Sequence, residues 1–91
     1  MHALVTTASF DRRLVRFGRL HPELRGRLAR LLRDLEADPF QPHLRLHGLQ
    51  GELDGLYAVR LTQSYRVVLA IRAQEREIGL LDIGTHDEVY G

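Results

Sequence analysis

Arg60, Arg66, His86, Asp87, Glu88 and Tyr90 are the residues whose types and spacing could do chemistry. Metal-free cleavage of RNA uses the 2′-hydroxyl as nucleophile. It needs a base for that proton, cations for the charge growing on the phosphorus oxygens, and an acid for the leaving 5′-oxygen. An imidazole titrates near neutrality, so a His at position 86 can take either proton role. Guanidinium groups grip phosphate through paired donors, which suits Arg60 and Arg66. Tyr90 can stack on a base or donate a proton. Each has a plainer reading. His86 can cap a strand at the surface, the arginines can pair with Glu52, Asp54 or Asp82, and Tyr90 can pack the last turn. Asp87 and Glu88 can be solvated acids, or they can orient the imidazole.

The remaining candidates are weaker. His43 and His47 are spaced i, i+4, but they flank a loop with no acid close in sequence, so no metal site is expected. His47 is kept as an RNA contact. Gly48, Gly51 and Gly55 are too dispersed for a phosphate-binding loop and do not join a strand to a helix.

The elements that must position these residues follow from periodicity. Residues 2–7 read as a short strand. Ser9 is the expected N-cap of a first helix, with Asp11 in its first turn. Phe10, Leu14 and Phe17 repeat at helical spacing, and Gly18 is the expected end. Pro22 opens a second helix at its first position. Leu24, Leu28, Leu31 and Leu35 form its apolar stripe, Arg25, Arg27, Arg30 and Arg33 lie mostly off it, and Asp38-Pro39 stops it. Residues 39–55 read as loop. The period then becomes two in residues 56–61, 65–72 and 77–83, which predicts three strands in a meander.

The order of strand, helix pair and three strands predicts an α+β domain with both helices on one sheet face. The buried set is expected to include Leu14, Phe17, Leu28, Leu31, Leu35, Val59, Val67, Leu69 and Ile83. Arg60 and Arg66 alternate away from that set and are expected on the open face. The third strand ends at Gly84 in this reading, which frees His86 to reach over that face.

Composition sets the bounds. Ninety-one residues make one domain, 1–91, and a chain this short can build only one core. No apolar run reaches membrane-spanning length and no secretory segment opens the sequence, so a cytoplasmic protein is expected. The absence of cysteine excludes disulfides and thiol catalysis. All 13 Lys and Arg residues are Arg, yet the formal charge is only +1, a weak signal for nucleic acid.

The segments Leu46–Gly51, Gly55–Arg60, Tyr65–Leu69, and Gly84-Thr85-His86 with Tyr90 resemble the RelE/ParE superfamily of bacterial toxins from type II toxin–antitoxin systems. His47-x-Leu49-Gln50-Gly51 and the closing Gly-Thr-His are most similar to its YafQ branch, and Tyr65-Arg66-Val67-Val68 to RelE and YoeB. The resemblance implies a ribosome-associated endoribonuclease that cleaves mRNA without a cofactor, with a cognate antitoxin as partner. It implies that His86 is the catalytic His and that Tyr90 stands where RelE has a catalytic Tyr. It also implies that Arg66 faces the scissile phosphate and that His47 is a further functional His. Arg60, His47 and Asp87 join Arg66 as expected RNA contacts. Arg60 stands where the YafQ branch has His, and Ser64 where it has Asp, so the acid–base set of that branch is incomplete and the general base is left open. Two alternatives are a ParE-like inhibitor of DNA gyrase and a relative that has lost catalysis and only binds antitoxin.

Overall fold

The computed structural model describes residues 1–90. Its elements are β1 (Ala3–Thr6), α1 (Ala8–Leu20), α2 (Arg25–Ala37), β2 (His47–Gly48), β3 (Tyr57–Arg60), β4 (Tyr65–Arg72), β5 (Glu77–Thr85) and α3 (His86–Tyr90). They form the expected α+β architecture around one five-stranded sheet of order β1-β5-β4-β3-β2. β1 runs parallel to β5, and the other pairs are antiparallel. Two elements go beyond the expected set. The segment read as loop supplies β2, together with single 3₁₀ turns at Pro42–Leu44 and Gly51–Leu53. The chain end is helical where a free tail was expected.

Helix α1 starts one cap earlier than the sequence suggested. The Thr7 hydroxyl, not that of Ser9, accepts from the Phe10 backbone N–H at 3.1 Å. The helix continues through Gly18 to Leu20, and the Arg25 Nε–H donates to the Gly18 carbonyl at 2.8 Å, which satisfies one of the open carbonyls of its last turn. Pro22 opens a 3₁₀ turn, Pro22–Leu24, that leads into α2.

The core lies between the helix hairpin and one face of the sheet. Phe10 and Phe17 of α1 and Leu28, Leu31 and Leu35 of α2 pack with Leu44, Val59, Leu61, Val67, Leu69, Ile78, Leu80 and Ile83. Leu14, expected inside, is only partly buried beside them. Phe17, His21 and Tyr65 meet with ring centroids 4.7–5.1 Å apart and tie the end of α1 to β4. Burying one large apolar side chain contributes about 1.5–3 kcal/mol, so this single cluster is the main source of stability.

The register assigns the second face. Val59 pairs with Val67, and Val67 with Ile83, all on the core side. The intervening rows therefore face away: Arg60–Arg66–Gly84, and His47–Ala58–Val68 beside it. Helix α3 lies on this face against β4 and β5, where Ala58, Val68 and Val89 are buried. The face expected to be open is thus partly roofed.

Gly84 permits that roof. A Cβ there would lie 3.1 Å from the Glu88 Cβ and 3.4 Å from the Val89 Cγ1. Gly84→Ala is expected to destabilise the fold by roughly 1–3 kcal/mol through overpacking, read by urea denaturation. An unchanged midpoint would show that α3 is not held against the strand.

Candidate functional site

Helix α3 starts with a reciprocal cap. The Thr85 backbone N–H donates to the Glu88 carboxylate at 2.8 Å, and the Glu88 N–H donates to the Thr85 hydroxyl at 3.2 Å. This is the capping box Thr-x-x-Glu, written in the sequence as Thr85-His86-Asp87-Glu88. Hydrogen bonding of the Glu88 carboxylate by the Thr85 backbone N–H and then by the Thr85 side chain holds its pKa below the usual value, and the Arg16 charge adds to the effect. Glu88, read above as a solvated acid or an aid to the imidazole, is therefore the residue that turns the chain over the sheet.

The cap sets His86 and Tyr90 one helical turn apart. Their rings meet edge to face with centroids 4.3 Å apart. His86 remains largely exposed, and the Asp87 carboxylate lies 3.5 Å from its Nδ1. Asp87 itself is fully exposed and lies outside the cleft lining. Tyr90 behaves differently. Its hydroxyl oxygen is buried and has no hydrogen-bond partner among the described residues. Burial raises its pKa above the usual phenol value, while the nearby Arg66 charge pulls the other way. The phenol is therefore protonated through the neutral range, with no acceptor for its O–H among the described residues.

Arg66 projects from β4 beside this roof. Its Nη1 donates to the carbonyls of Thr62, Gln63 and Tyr65 at 2.8, 3.1 and 3.2 Å. The turn that supplies those carbonyls is itself fixed, because the Thr62 hydroxyl accepts from the backbone N–H groups of Ser64 and Tyr65. One end of the guanidinium is thus anchored, and Nε and Nη2 have no acceptor among the described residues. Arg60 pairs directly across from Arg66 and has neither an ion pair nor a side-chain hydrogen bond among the described residues. The acids offered as surface partners do not take these roles. Asp82 instead meets Arg13 of α1 at 2.6 Å.

His47 enters from β2, paired with Ala58. Its Nδ1 lies 3.1 Å from the Arg45 carbonyl oxygen. A carbonyl can only accept, so Nδ1 carries the hydrogen and Nε2 of the neutral ring is an acceptor. His43 does meet an acid, contrary to the sequence reading: its Nε2 lies 2.8 Å from the Asp34 carboxylate of α2. No group of three His, Cys, Asp or Glu able to hold a metal occurs among the described residues.

His47, His86 and Tyr90 line one cleft of about 690 Å³, with Gly48, Gln50, Glu52 and Glu88 among its other walls. Arg66 adjoins it through Tyr90, and Arg60 adjoins Arg66. The arrangement supplies an acceptor nitrogen, a second imidazole, a protonated phenol and two fixed cations on one sheet face. Glu88, Thr85 and Gly84 were the structural determinants missed from sequence, although the capping-box spacing was there to be read.

Comparison with known structures assigns the architecture to a class: the chain has a RelE/ParE-like toxin fold. YafQ from E. coli strain BL21(DE3) superposes with a TM-score of 0.82 at 14% identity, over 100% of both chains. A metal-bound toxin from Helicobacter pylori superposes at 0.81 with 26% identity, over 98% of this chain and 99% of that one. The YoeB-YefM complex from Staphylococcus aureus contains a chain that superposes at 0.74 with 14% identity, over 94% of this chain and 98% of that one. No protein-family model matches the sequence, and no curated protein is significantly similar to it. Among the described residues no helix is long and apolar enough to cross a membrane.

The cap predicts a pH response. The folded Glu88 carboxyl titrates below its unfolded value of 4.5. Its contribution is therefore fully present above pH 4.5 and is lost as pH falls through the lower folded value. The protection factor of the Thr85 amide, its exchange rate by NMR divided into the intrinsic rate at the same pH, should fall below pH 4.5 ahead of those in β4 and β5. An unaltered Thr85 amide well below that pH would show that the cap does not hold the helix.

Proposed function

We propose that the protein is the toxin of a type II toxin–antitoxin pair and acts as an endoribonuclease on mRNA at the ribosome. The observation that carries this reading is the convergence of His47, His86 and Tyr90 on one cleft beside Arg66. A module that only bound a partner would have no use for two imidazoles and a protonated phenol around one cavity with a cation beside it.

The reaction proceeds by attack of the 2′-hydroxyl on the adjacent phosphorus. His47 accepts the hydroxyl proton at Nε2, which its Nδ1–H bond to Arg45 leaves bare. Arg66, anchored through Nη1, offers Nε and Nη2 to the non-bridging oxygens, and Arg60 adds the second charge from across the strand pair. The Tyr90 hydroxyl donates to the same oxygens as negative charge builds. His86 returns a proton to the 5′-oxygen as the P–O bond breaks. The products are a 2′,3′-cyclic phosphate and a free 5′-hydroxyl. None of these residues needs a metal or cofactor.

The partner is a small antitoxin protein. Support comes from the YoeB-YefM complex, in which a chain of this fold is assembled with YefM. A short neighbouring gene is expected to encode a protein that co-purifies with this chain and neutralises it. Failure of every neighbouring product to bind would count against a toxin.

Inducible expression with mapping of transcript 5′-ends tests the activity. Cuts at a fixed position within codons are expected. DNA breaks with an SOS response and intact transcripts would move the assignment to gyrase inhibition. Absence of growth arrest would indicate a chain that only binds antitoxin. His86→Ala and Arg66→Ala are each expected to slow cleavage by roughly 10²-fold or more, the usual scale for losing proton transfer or charge stabilisation. Both variants should keep the wild-type circular dichroism spectrum, since neither side chain belongs to the core.

A further inference from the structure

Two non-glycine residues have left-handed backbone, Arg45 (φ 52) and Arg76 (φ 54). Arg76 closes the β4–β5 hairpin, where its N–H donates to the Ala73 carbonyl at 3.2 Å and the turn requires that conformation. Arg45 has no hairpin to close. It follows the 3₁₀ turn Pro42–Leu44, with its N–H on the Pro42 carbonyl at 3.2 Å, and it precedes β2. Its neighbours on both sides are held: Leu44 is fully buried in the core, and Leu46 packs against it. The chain must therefore reverse its local direction within one residue. Doing so presents the Arg45 carbonyl to the His47 ring.

We infer that Arg45 is a positioning residue for His47, acting through its backbone: the left-handed turn aims its carbonyl at Nδ1 and so fixes the tautomer whose Nε2 faces a reacting hydroxyl. The inference rests on the proposed role of His47 as proton acceptor. Without that hydrogen bond the exposed imidazole of His47 would exchange between both tautomers and several ring orientations. With it, one tautomer and one ring direction persist before substrate arrives. A carbonyl is the fitting partner for this purpose, because it cannot donate and so cannot support the opposite tautomer. Strained non-glycine backbone of this kind persists only where the surroundings over-determine it, and it clusters at functional sites. Leu44 and Leu46 are the over-determining contacts here.

The test separates backbone from side chain. Arg45→Gly and Arg45→Val both remove the guanidinium, but glycine adopts the left-handed region freely and a β-branched residue does not. Both are compared by the ¹⁵N chemical shifts of the His47 ring in RNA-free protein and by the pH profile of cleavage of an mRNA loaded on ribosomes. The Nδ1–H tautomer is expected in the wild type and in Arg45→Gly, and a mixture in Arg45→Val. Cleavage by the glycine variant should exceed that by the valine variant by about 10²-fold, the scale of a misplaced catalytic group. The acidic limb of its profile, where a proton acceptor must lose its proton to act, should match the wild type, while that of the valine variant should shift. An Nε2–H tautomer in the wild type, or the same tautomer in the valine variant as in the wild type, would overturn the inference. Should Arg45→Val fail to fold, Arg45→Ala serves as the second strained variant with the same ring readout. A fixed Nδ1–H tautomer in a wild-type protein that cleaves no RNA would overturn the reading of function instead.

Discussion

Everything at the cleft depends on how closely the last helix approaches the sheet. A five-residue helix is far too short to be stable alone, because nucleation costs more than its few hydrogen bonds return. α3 therefore exists only because it is clamped at both ends. The reciprocal bonds between Thr85 and Glu88 start it, and burial of Val89 over the bare backbone of Gly84 holds it down. Gly84 is also the register partner of Arg66. The same missing side chain that admits the helix thus puts Tyr90 near the cation, with His86 against the Tyr90 ring. A larger residue there would disturb the roof, the cap and the site together.

The second constraint is electrostatic. Two guanidinium groups directly opposite on neighbouring strands repel. At about 5 Å the repulsion is roughly 0.8 kcal/mol in bulk water and about 3 kcal/mol at an effective dielectric of 20. The fold tolerates this with no acid between them among the described residues. It offsets part of the cost by giving Arg66 three carbonyl oxygens, whose dipoles point their negative ends at Nη1. The remaining donors have no acceptor among the described residues. An anion placed between the two groups would turn the repulsive pair into an attractive triad, so the free protein is poised for negative charge. The Tyr90 hydroxyl is a buried polar group with no hydrogen-bond partner among the described residues, and it carries that desolvation cost.

Much of this was legible in the sequence because period-2 and period-3.6 patterns are strong where a face is buried. β4 matched its alternation residue for residue, since Val67 and Leu69 must face the hairpin and Arg66 must not. The helix pair followed from its leucine stripe. What escaped detection was governed by contacts distant in sequence. β2 is two residues long, and its pairing with Ala58 and Tyr57 carries no periodic signature. The Asp34 partner of His43 comes from α2, nine positions back. The choice of Thr7 over Ser9 as cap was a competition between two good capping residues that local sequence does not decide. Helix α3 was different in kind. Its Thr-x-x-Glu signal was present, but a strand was expected to stop at Gly84, and that expectation treated the glycine as an end when it is a seat.

The substitution at position 60 bears on how the proton acceptor is chosen under the proposed reading. Where the resemblance implies a His in β3, this chain carries Arg60, which cannot exchange protons near neutrality. It supplies a second fixed charge across from Arg66 on the neighbouring strand. Ser64, in place of an acid, leaves the β3–β4 turn to be organised by Thr62 alone and leaves the Thr62–Tyr65 carbonyls to Arg66. Proton traffic is then confined to the rim of the face, with His47 from β2 on one side of the cleft and His86 from α3 on the other. Both are exposed, so neither would be held in one protonation or tautomeric state by burial. Local hydrogen bonding has to do that instead, and of the two only His47 has a backbone carbonyl on its ring. That asymmetry fits the proposed roles: a ring with its tautomer fixed is suited to accept, and an exposed ring with only a carboxylate at 3.5 Å is suited to deliver a proton drawn from solvent.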